Sequence, residues 1–261
     1  TSCESCPAFL KQGKNDRSAR NFRKKRNTYA RYDNLYFSAP SKWLYNCARQ
    51  SFLAGTKPVF HIPNVIDRRV FAPLDKKMAR RAFNIGEDRT IIAFGAVAVD
   101  SPYKGWSYLE KALEILKDDT ELRDVLVLIF GKGFNKKIAS QIPFETRFVG
   151  FLSDEYSTSL VYNAANVFVT PSLADNLPTT ILESLCCETP VVGFNVGGIP
   201  DMIVHKSNGY TANYKDSSDL ADGIKYCLKY NVKGYLPNDF YSEDVIEKHR
   251  ELFRFIKISN Q

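Results

Sequence analysis

The residues best suited to chemistry lie in a short segment, PSLADNLPTT, between an apolar run and an amphipathic stretch. Pro178 suits the first position of a helix, because the N–H that proline lacks would have no partner there. The backbone N–H groups of Thr179, Thr180 and Ile181 would then be free at the positive end of the helix dipole. The segment therefore predicts an anion site, for which a phosphate is the natural ligand.

A carboxylate follows on the same predicted helix. Glu183 can accept two hydrogen bonds, so it could hold both hydroxyls of a ribose, as acids do in dinucleotide-binding folds. Its neighbours Leu182 and Leu185 are apolar and indicate a position at the edge of the core. The alternative is a surface acid in an ordinary helix.

Two further loops follow apolar runs. After the predicted strand at 90–95 comes GAVAVDSPYKG, in which Lys104 precedes a helix. A lysine there opposes the dipole preference for acids, which a bound anion would explain; an exposed lysine is the alternative. After a later strand, Gly197 and Gly198 could let the backbone approach a ligand, although Gly-Gly is also a common turn.

Short apolar strands alternating with amphipathic helices would position these loops. Strands are expected at 90–95, 125–130, 147–150, 167–170 and 190–194. Helices are expected at 106–116, 153–165 and 178–187, after Pro200 and around 220–228, with a turn at Asn208-Gly209. This alternation predicts an α/β, doubly wound, Rossmann-like domain whose parallel sheet is covered on both faces.

The first 70 residues predict part of another domain. A basic helix at 18–31 precedes a strand at 35–39, a helix from Ser41 to Phe52 and a strand at 59–62. Trp43, Leu44 and Cys47 are expected on the inner face of the second helix. These units are too few to cover both faces of a sheet, so they predict a partial first Rossmann-like domain at 1–66 and a second domain at 67–261.

The composition is that of an ordinary globular protein, with 44% hydrophobic and 25% charged residues and no apolar run near the roughly 20 residues of a membrane span. The net charge is +7, and residues 11–32 alone contribute +8, so the charge lies in one basic segment. That segment is either a solvated helix face or a contact for an anionic partner such as a lipid surface. A nucleic-acid role is disfavoured, because the segment resembles no base-reading module.

Together the loops give the string PSLADNLPTTILESLCCETPVVGFNVGGIPDMI, which resembles the signature of family-4 glycosyltransferases. PYKG, GFLSDE, APSKWL and IPNVID match further motifs of that family in order. The family has the GT-B architecture, in which two Rossmann-like domains face each other across the active site. The similarity is greatest to the subgroup of bacterial surface-polysaccharide assembly, in which Asp-Asn-Leu-Pro is common.

The resemblance implies retaining transfer of a sugar from a nucleotide-sugar donor, such as a UDP- or GDP-sugar, to a saccharide or lipid-linked acceptor. The reaction would require no metal and would take place in the cytoplasm or at the inner membrane face. Asp175 would be the catalytic residue and would contact the donor sugar near the reacting carbon, and Glu183 would hold the ribose. Lys104 would neutralise the diphosphate. The other implied donor-binding residues are Gly95, Gly131, Phe151, Asn176, Leu177, Pro178 and Thr179.

The sequence departs from the family at two positions. Most members have glutamate where Asp175 stands, and many have an arginine where Ala96 and Val97 stand. Diphosphate binding would therefore depend more on Lys104 and on backbone groups. The chain is expected to hold the donor domain and only the end of the acceptor domain, so that alone it would bind donor and transfer poorly.

Two other functions share the fold. A nucleotide-sugar epimerase would need acid and base residues that the sequence does not offer, and a non-catalytic binding module would fit the shortened acid. Cys3-x-x-Cys6 is half of a zinc motif at most, since tetrahedral zinc needs four ligands. His61, His205 and His249 form no spaced cluster. The spacing of the six cysteines favours a reduced compartment.

Overall fold

The computed structural model describes residues 17–98, 101–122, 124–133 and 139–259, so Cys3 and Cys6 lie outside the described residues. Contacts within the chain divide it into two units. The first combines residues 17–62 with 246–259, and the second is Pro63–Val245. Residues 242–245 of the last helix thus fall in the second unit and residues 246–259 in the first. The predicted second domain, 67–261, included this helix as a crossover helix between the domains.

The strands are numbered in chain order. The first unit holds β1 (Phe37–Ala39) and β2 (Val59–His61), and the second holds β3 (Thr90–Ala98), β4 (Val125–Lys132), β5 (Glu145–Phe148), β6 (Val167–Thr170), β7 (Val191–Phe194) and β8 (Gly209–Ala212). β1 and β2 pair in parallel. The other six form one parallel sheet in the order β5-β4-β3-β6-β7-β8.

The described helices are α1 (Arg17–Arg31), α2 (Lys42–Gln50), α3 (Lys76–Ala82), α4 (Trp106–Leu116), α5 (Glu155–Ala164), α6 (Thr179–Cys186), α7 (Ser217–Lys229) and α8 (Ser242–Ser259). The 3-10 turns of the described residues lie at Pro102–Lys104, Ile199–Asp201 and Asn238–Phe240. Among the described helices, none is both long and apolar enough to cross a membrane.

Both faces of the six-stranded sheet are covered, as the doubly wound fold requires. On one face Ile91 packs in a core with residues of α5 and α6. On the other face its neighbour Ile92 packs with residues of α4 and α7. Strands that are buried on both sides can be apolar at every position, which is why VLVLIF in β4 is buried throughout. The predicted parallel α/β fold is confirmed.

The order of the strands places the predicted loops side by side. The chain enters the sheet at β3, adds β4 and β5 on one side, and then adds β6, β7 and β8 on the other. The order therefore reverses between β3 and β6. In open α/β sheets, ligands bind at such a reversal, outside the carboxyl ends of the strands. The loops after β3 and β6 are the two that flank it.

Most predicted elements are present within a few residues, but α3 and β8 were missed. α3 has the sequence KKMARRA and buries only Ala79 and Arg80, so it has no apolar periodicity to detect. β8 begins at Gly209, inside the predicted Asn208-Gly209 turn, and is short and half polar. Its place in the sheet depends on pairing with β7, which is a tertiary contact.

In the first unit, the helix cap was predicted correctly and the buried face was not. The Ser41 hydroxyl accepts a hydrogen bond from the Leu44 N–H at 3.0 Å, which satisfies one of the free donors at the start of α2. Trp43 is 45% exposed and Cys47 is also exposed, so neither belongs to a core. Helical spacing identifies a face, but only packing decides which face is covered.

Arg80 anchors α3 to its neighbours within the second unit. Its buried guanidinium donates to the carbonyl of Ala164 at 3.1 Å, to the Asn166 side chain at 2.8 Å and to the carbonyl of Glu87. The Asn166 side-chain oxygen also accepts from the Ile91 N–H at 2.9 Å. Arg80 thus ties α3 to the strand ends at the amino edge of the sheet.

We predict that Arg80→Ala lowers the free energy of unfolding by about 2–4 kcal/mol, because it leaves buried acceptors without a donor. Arg81→Ala is the matched control. Arg81 is the next residue of α3 and forms an exposed ion pair with Glu87, so its loss should cost under about 1 kcal/mol. Urea unfolding measures both values, and equal costs would contradict the assignment of Arg80 as an anchor.

Candidate functional site

The loops after β3 and β6 touch through their backbones. Gly105 has φ +69°, and a Cβ added to it would lie 1.9 Å from the carbonyl oxygen of Pro171. The Leu173 N–H donates to the Tyr103 carbonyl at 2.8 Å. Only glycine fits at position 105, both for its φ and for this approach. The lysine loop is therefore fixed against the loop that carries the acid.

Lys104 and Asp175 form an ion pair across this contact. The Lys104 Nζ lies 2.9 Å from the Asp175 Oδ2, and the two side chains are 35% and 20% exposed. The residues are 71 positions apart in the chain. The structure thus joins the predicted diphosphate-binding cation and the predicted catalytic acid in one half-buried pair.

The third loop, after β7, holds the backbone of Asp175. The Gly198 N–H donates to the Asp175 carbonyl at 3.2 Å. Gly197 has φ +59°, and a Cβ there would lie 1.9 Å from the same carbonyl oxygen. The paired glycines were predicted to approach a ligand; what they approach in the structure is the loop of the acid.

Glu183 lies on α6, with its carboxylate partly buried. The hydroxyl of Tyr162 donates to the Glu183 Oε2 at 2.9 Å. Burial raises the pKa of the Glu183 carboxyl, while hydrogen bonds from Tyr162 and Thr179 lower it. Leu182 and Leu185 are buried, which confirms the prediction that Glu183 lies at the edge of the core.

The start of α6 differs from the prediction in one respect. Pro178 is the N-cap residue rather than the first helical one, and the Ile181 N–H donates to the Pro178 carbonyl at 3.1 Å. Ile181 was predicted to offer a free N–H, and this was wrong because the first turn closes on itself. The N–H groups of Thr179 and Thr180 remain at the end of the helix.

The residues between Asp175 and the helix differ in what they expose. Asn176 is half-buried, whereas Leu177 and Pro178 are buried. Leu177 packs in the core beneath the sheet, so it can offer a ligand only its backbone. The segment therefore presents main-chain groups and the asparagine, with the apolar side chains turned inward.

A second loop pair meets at the end of β4. Gly131 has φ +125°, and its N–H donates to the Gly150 carbonyl at 2.9 Å. Phe151 is 49% exposed, and the Lys132 Nζ lies 4.4 Å from the centre of its ring. Lys132 was missed in the sequence, where the flanking glycines at the strand end were its only signal. It adds a cation to the same edge of the sheet.

Gly95 and Ala96 lie inside β3. A Cβ on Gly95 would lie 2.1 Å from the ring of Phe130, so the glycine makes room for an aromatic side chain of β4. Ala96, one of the two positions at which the family resemblance implied an arginine, is 8% exposed. The structure thus shows a packing reason for Gly95, and its predicted contact with a donor stays a prediction.

Among the described residues, no group of three or more His, Cys, Asp or Glu side chains could hold a metal ion. The four described cysteines, Cys47, Cys186, Cys187 and Cys227, are unpaired. Burial raises the pKa of the Cys187 thiol to about 12, so this thiol stays protonated and unreactive at neutral pH.

Comparison with known proteins gives one family. Residues 88–230 match the model described as Glycosyl transferases group 1. D-inositol 3-phosphate glycosyltransferase from Mycobacteroides abscessus is 31% identical over 181 residues, which cover 65% of this chain and 39% of that protein. The chain spans less than half the length of the curated relatives that it matches.

Solved structures share the fold. A glycosyltransferase from Rickettsia africae superposes with a TM-score of 0.74 at 18% identity, over 90% of this chain and 67% of that one. Anabaena HepE, in complex with UDP and glucose, superposes with a TM-score of 0.69 at 20% identity, over 91% and 67%. These neighbours are GT-B glycosyltransferases.

We predict that Gly197→Ala destabilises the second unit by about 3 kcal/mol or more, because its Cβ would collide with the Asp175 carbonyl in addition to the strain of a positive φ. Gly150→Ala is the matched control: its φ is +83°, but nothing lies within 4 Å of its added Cβ. It should cost only about 1–2 kcal/mol. Chemical denaturation of both variants measures the difference, and equal costs would show that the carbonyl contact is unimportant.

Proposed function

The chain belongs to the group 1 glycosyl transferases, and from this premise we propose that it binds a nucleotide sugar at the carboxyl edge of β3 and β6. In the whole protein the bound sugar would be transferred to an acceptor with retention of configuration. The observation that carries this proposal is the ion pair between Lys104 and Asp175. The pair lies where the strand order of the sheet reverses, and Glu183 lies on α6, the helix that follows the Asp175 loop.

The ion pair can bind a diphosphate while it keeps the acid close to the reacting carbon. An ammonium has three N–H donors, and Asp175 occupies one of them, so Lys104 can hold a diphosphate at the same time. In a nucleotide sugar the reacting carbon is bonded directly to a diphosphate oxygen. An acid 2.9 Å from the cation that holds the diphosphate is therefore close to the reacting carbon.

Negative charge grows on the diphosphate when the bond to the sugar carbon breaks. Lys104 and the N–H groups of Thr179 and Thr180 would stabilise that charge from fixed positions, which is where electrostatic catalysis is most effective. Lys132 would add a second cation at the neighbouring strand end and would compensate for Ala96. Phe151, beside Lys132, would contact the nucleobase.

The related protein HepE forms complexes with UDP and with UDP-glucose, which supports a nucleotide-sugar donor for this chain. We propose that the acceptor is a saccharide or lipid-linked saccharide of surface-polysaccharide assembly, as the motif Asp-Asn-Leu-Pro implies. No metal is required in this proposal, because Lys104 and the helix end supply the positive charge at the diphosphate.

We also propose that the protein is cytoplasmic and contacts an anionic membrane surface through α1. α1 carries seven exposed basic side chains and no acid: Arg17, Arg20, Arg23, Lys24, Lys25, Arg26 and Arg31. Each basic residue near an anionic surface contributes about 1 kcal/mol of attraction. The unpaired cysteines fit a reducing compartment.

We predict that Lys104→Ala weakens binding of the nucleoside diphosphate about ten- to hundredfold, because a hydrogen-bonded charge pair with the phosphates is lost. Titration calorimetry of the chain with UDP, GDP and ADP and their sugars measures the affinity, with and without a chelator. Lys111→Ala, in which an exposed lysine of α4 is removed, is the control and should bind normally. No binding of any of these nucleotides at millimolar concentration would overturn the proposed function.

Asp175→Asn separates binding from transfer. The variant keeps the shape of the side chain and removes the charge that competes with a diphosphate for Lys104. We predict nucleotide binding that is equal to or tighter than that of the unchanged protein, together with a loss of transfer of at least about a hundredfold in the full-length protein. If the variant transfers sugar as fast as the unchanged protein, a different group is catalytic. If the unchanged full-length protein transfers no sugar, a non-catalytic binding module is favoured.

For α1 we predict that the double variant Lys24→Glu/Lys25→Glu binds vesicles of anionic lipid at least about tenfold more weakly, since two attractive charges become repulsive. Lys111→Glu/Lys215→Glu changes the net charge equally outside α1 and should bind as before. Co-sedimentation at low and high salt measures the binding. Binding that is independent of the anionic lipid content would contradict the membrane proposal.

A further inference from the structure

Tyr162 is a fully buried side chain of α5 whose hydroxyl the proposed function does not use. This hydroxyl donates to the Glu183 Oε2 at 2.9 Å. Tyr162 lies 21 positions before Glu183, on a different helix, so the contact exists only in the folded chain. A tyrosine hydroxyl that is buried against a carboxylate fixes the carboxylate in one orientation, because leaving either group without its partner would be costly.

The ring of Tyr162 is itself held firmly. It makes edge-to-face contacts with Phe168 at 5.1 Å and with Phe130 at 5.9 Å between ring centres. Phe130 occupies the space that Gly95 leaves open in β3. The Tyr162 carbonyl accepts a hydrogen bond from the Thr189 hydroxyl at 2.7 Å, which ties α5 to the segment before β7. The hydroxyl therefore has a fixed position, and so does the oxygen that it binds.

We propose that Tyr162 is a positioning residue for the nucleotide subsite: it holds one oxygen of Glu183, so that the other, Oε1, faces the ribose hydroxyls of the donor. This inference rests on the proposed function, in which Glu183 contacts the ribose. A carboxylate offers about four acceptor positions over its two oxygens. Tyr162 and Thr179 each occupy one of these positions, which leaves two for the two ribose hydroxyls. Because their geometry is set in advance, binding costs less free energy for ordering the side chain.

The arrangement has a consequence for pH dependence. Partial burial raises the pKa of the Glu183 carboxyl, and the Tyr162 hydrogen bond is the larger of two that oppose this rise, the other coming from Thr179. Glu155 of α5 is the nearby charge that raises the pKa further. Without the tyrosine hydroxyl, the pKa of Glu183 rises, and the carboxyl takes up a proton at a higher pH.

The test uses Tyr162→Phe, which removes only the hydroxyl, in the whole chain. Affinities are measured for UDP and GDP and for their 2′-deoxy analogues. We expect the unchanged protein to prefer the ribonucleotides, and the variant to lose that preference by about tenfold while it keeps most of its affinity for the deoxy analogues. On acidification, the preference should also disappear at a higher pH in the variant.

Tyr210→Phe is the matched control. Its hydroxyl donates to the Asp219 Oδ1 at 2.7 Å, so the substitution breaks the same kind of tyrosine–carboxylate bond elsewhere in the unit. It should leave the ribose preference and its pH profile unchanged. Thermal unfolding of both variants shows how much stability each one loses, and nucleotides are titrated below the lower of the two melting temperatures.

The double variant Tyr162→Phe/Glu183→Gln tests whether the tyrosine acts through Glu183. We expect the double variant to discriminate ribose no less than Glu183→Gln alone, since the tyrosine then has no carboxylate to orient. If the unchanged protein binds no nucleotide, the proposed function fails. If it binds and prefers ribonucleotides, and Tyr162→Phe leaves both the preference and the pH profile intact, only the positioning role is overturned.

Discussion

The parallel pairing of β3 with β4 on one side and β6 on the other is the constraint on which the candidate site depends. Parallel strands end at the same edge of a sheet, so the loops after β3 and β6 must meet where the strand order reverses. That meeting joins Lys104 to Asp175. No local property of either loop requires the contact, and shifting either strand would separate the two charges.

Close contacts between backbone atoms fix the positions of these loops relative to one another. Gly105 lies against the Pro171 carbonyl and Gly197 against the Asp175 carbonyl, each with a positive φ. Side chains at these positions would push the loops apart. The ion pair is half-buried, so its charges are screened less than surface charges but still reach solvent. The candidate site thus combines rigid backbone with a solvent-accessible charge pair.

Much of the candidate site was predictable from local sequence. Apolar runs located most strands, Pro178 and the threonines located a helix start, and the family resemblance implied sugar-nucleotide chemistry at Asp175 and Glu183. The errors have physical reasons. Trp43 and Cys47 occupy a helical face that packing leaves exposed, and Ile181 lost its free N–H to a tight first turn. Lys132 was missed, since a single lysine between glycines resembles any strand end.

Patterns along the chain were enough to predict the alternation of strands and helices, the family signature and the residue types suited to phosphate and ribose, because these depend on neighbours in the chain. Which residues act as pairs became visible only in the folded chain. Lys104 with Asp175 and Tyr162 with Glu183 are joined across 71 and 21 positions by strand order and helix packing. The polar atoms of each pair come within 3 Å of each other because packing brings distant segments together. No pattern along the chain predicts that distance.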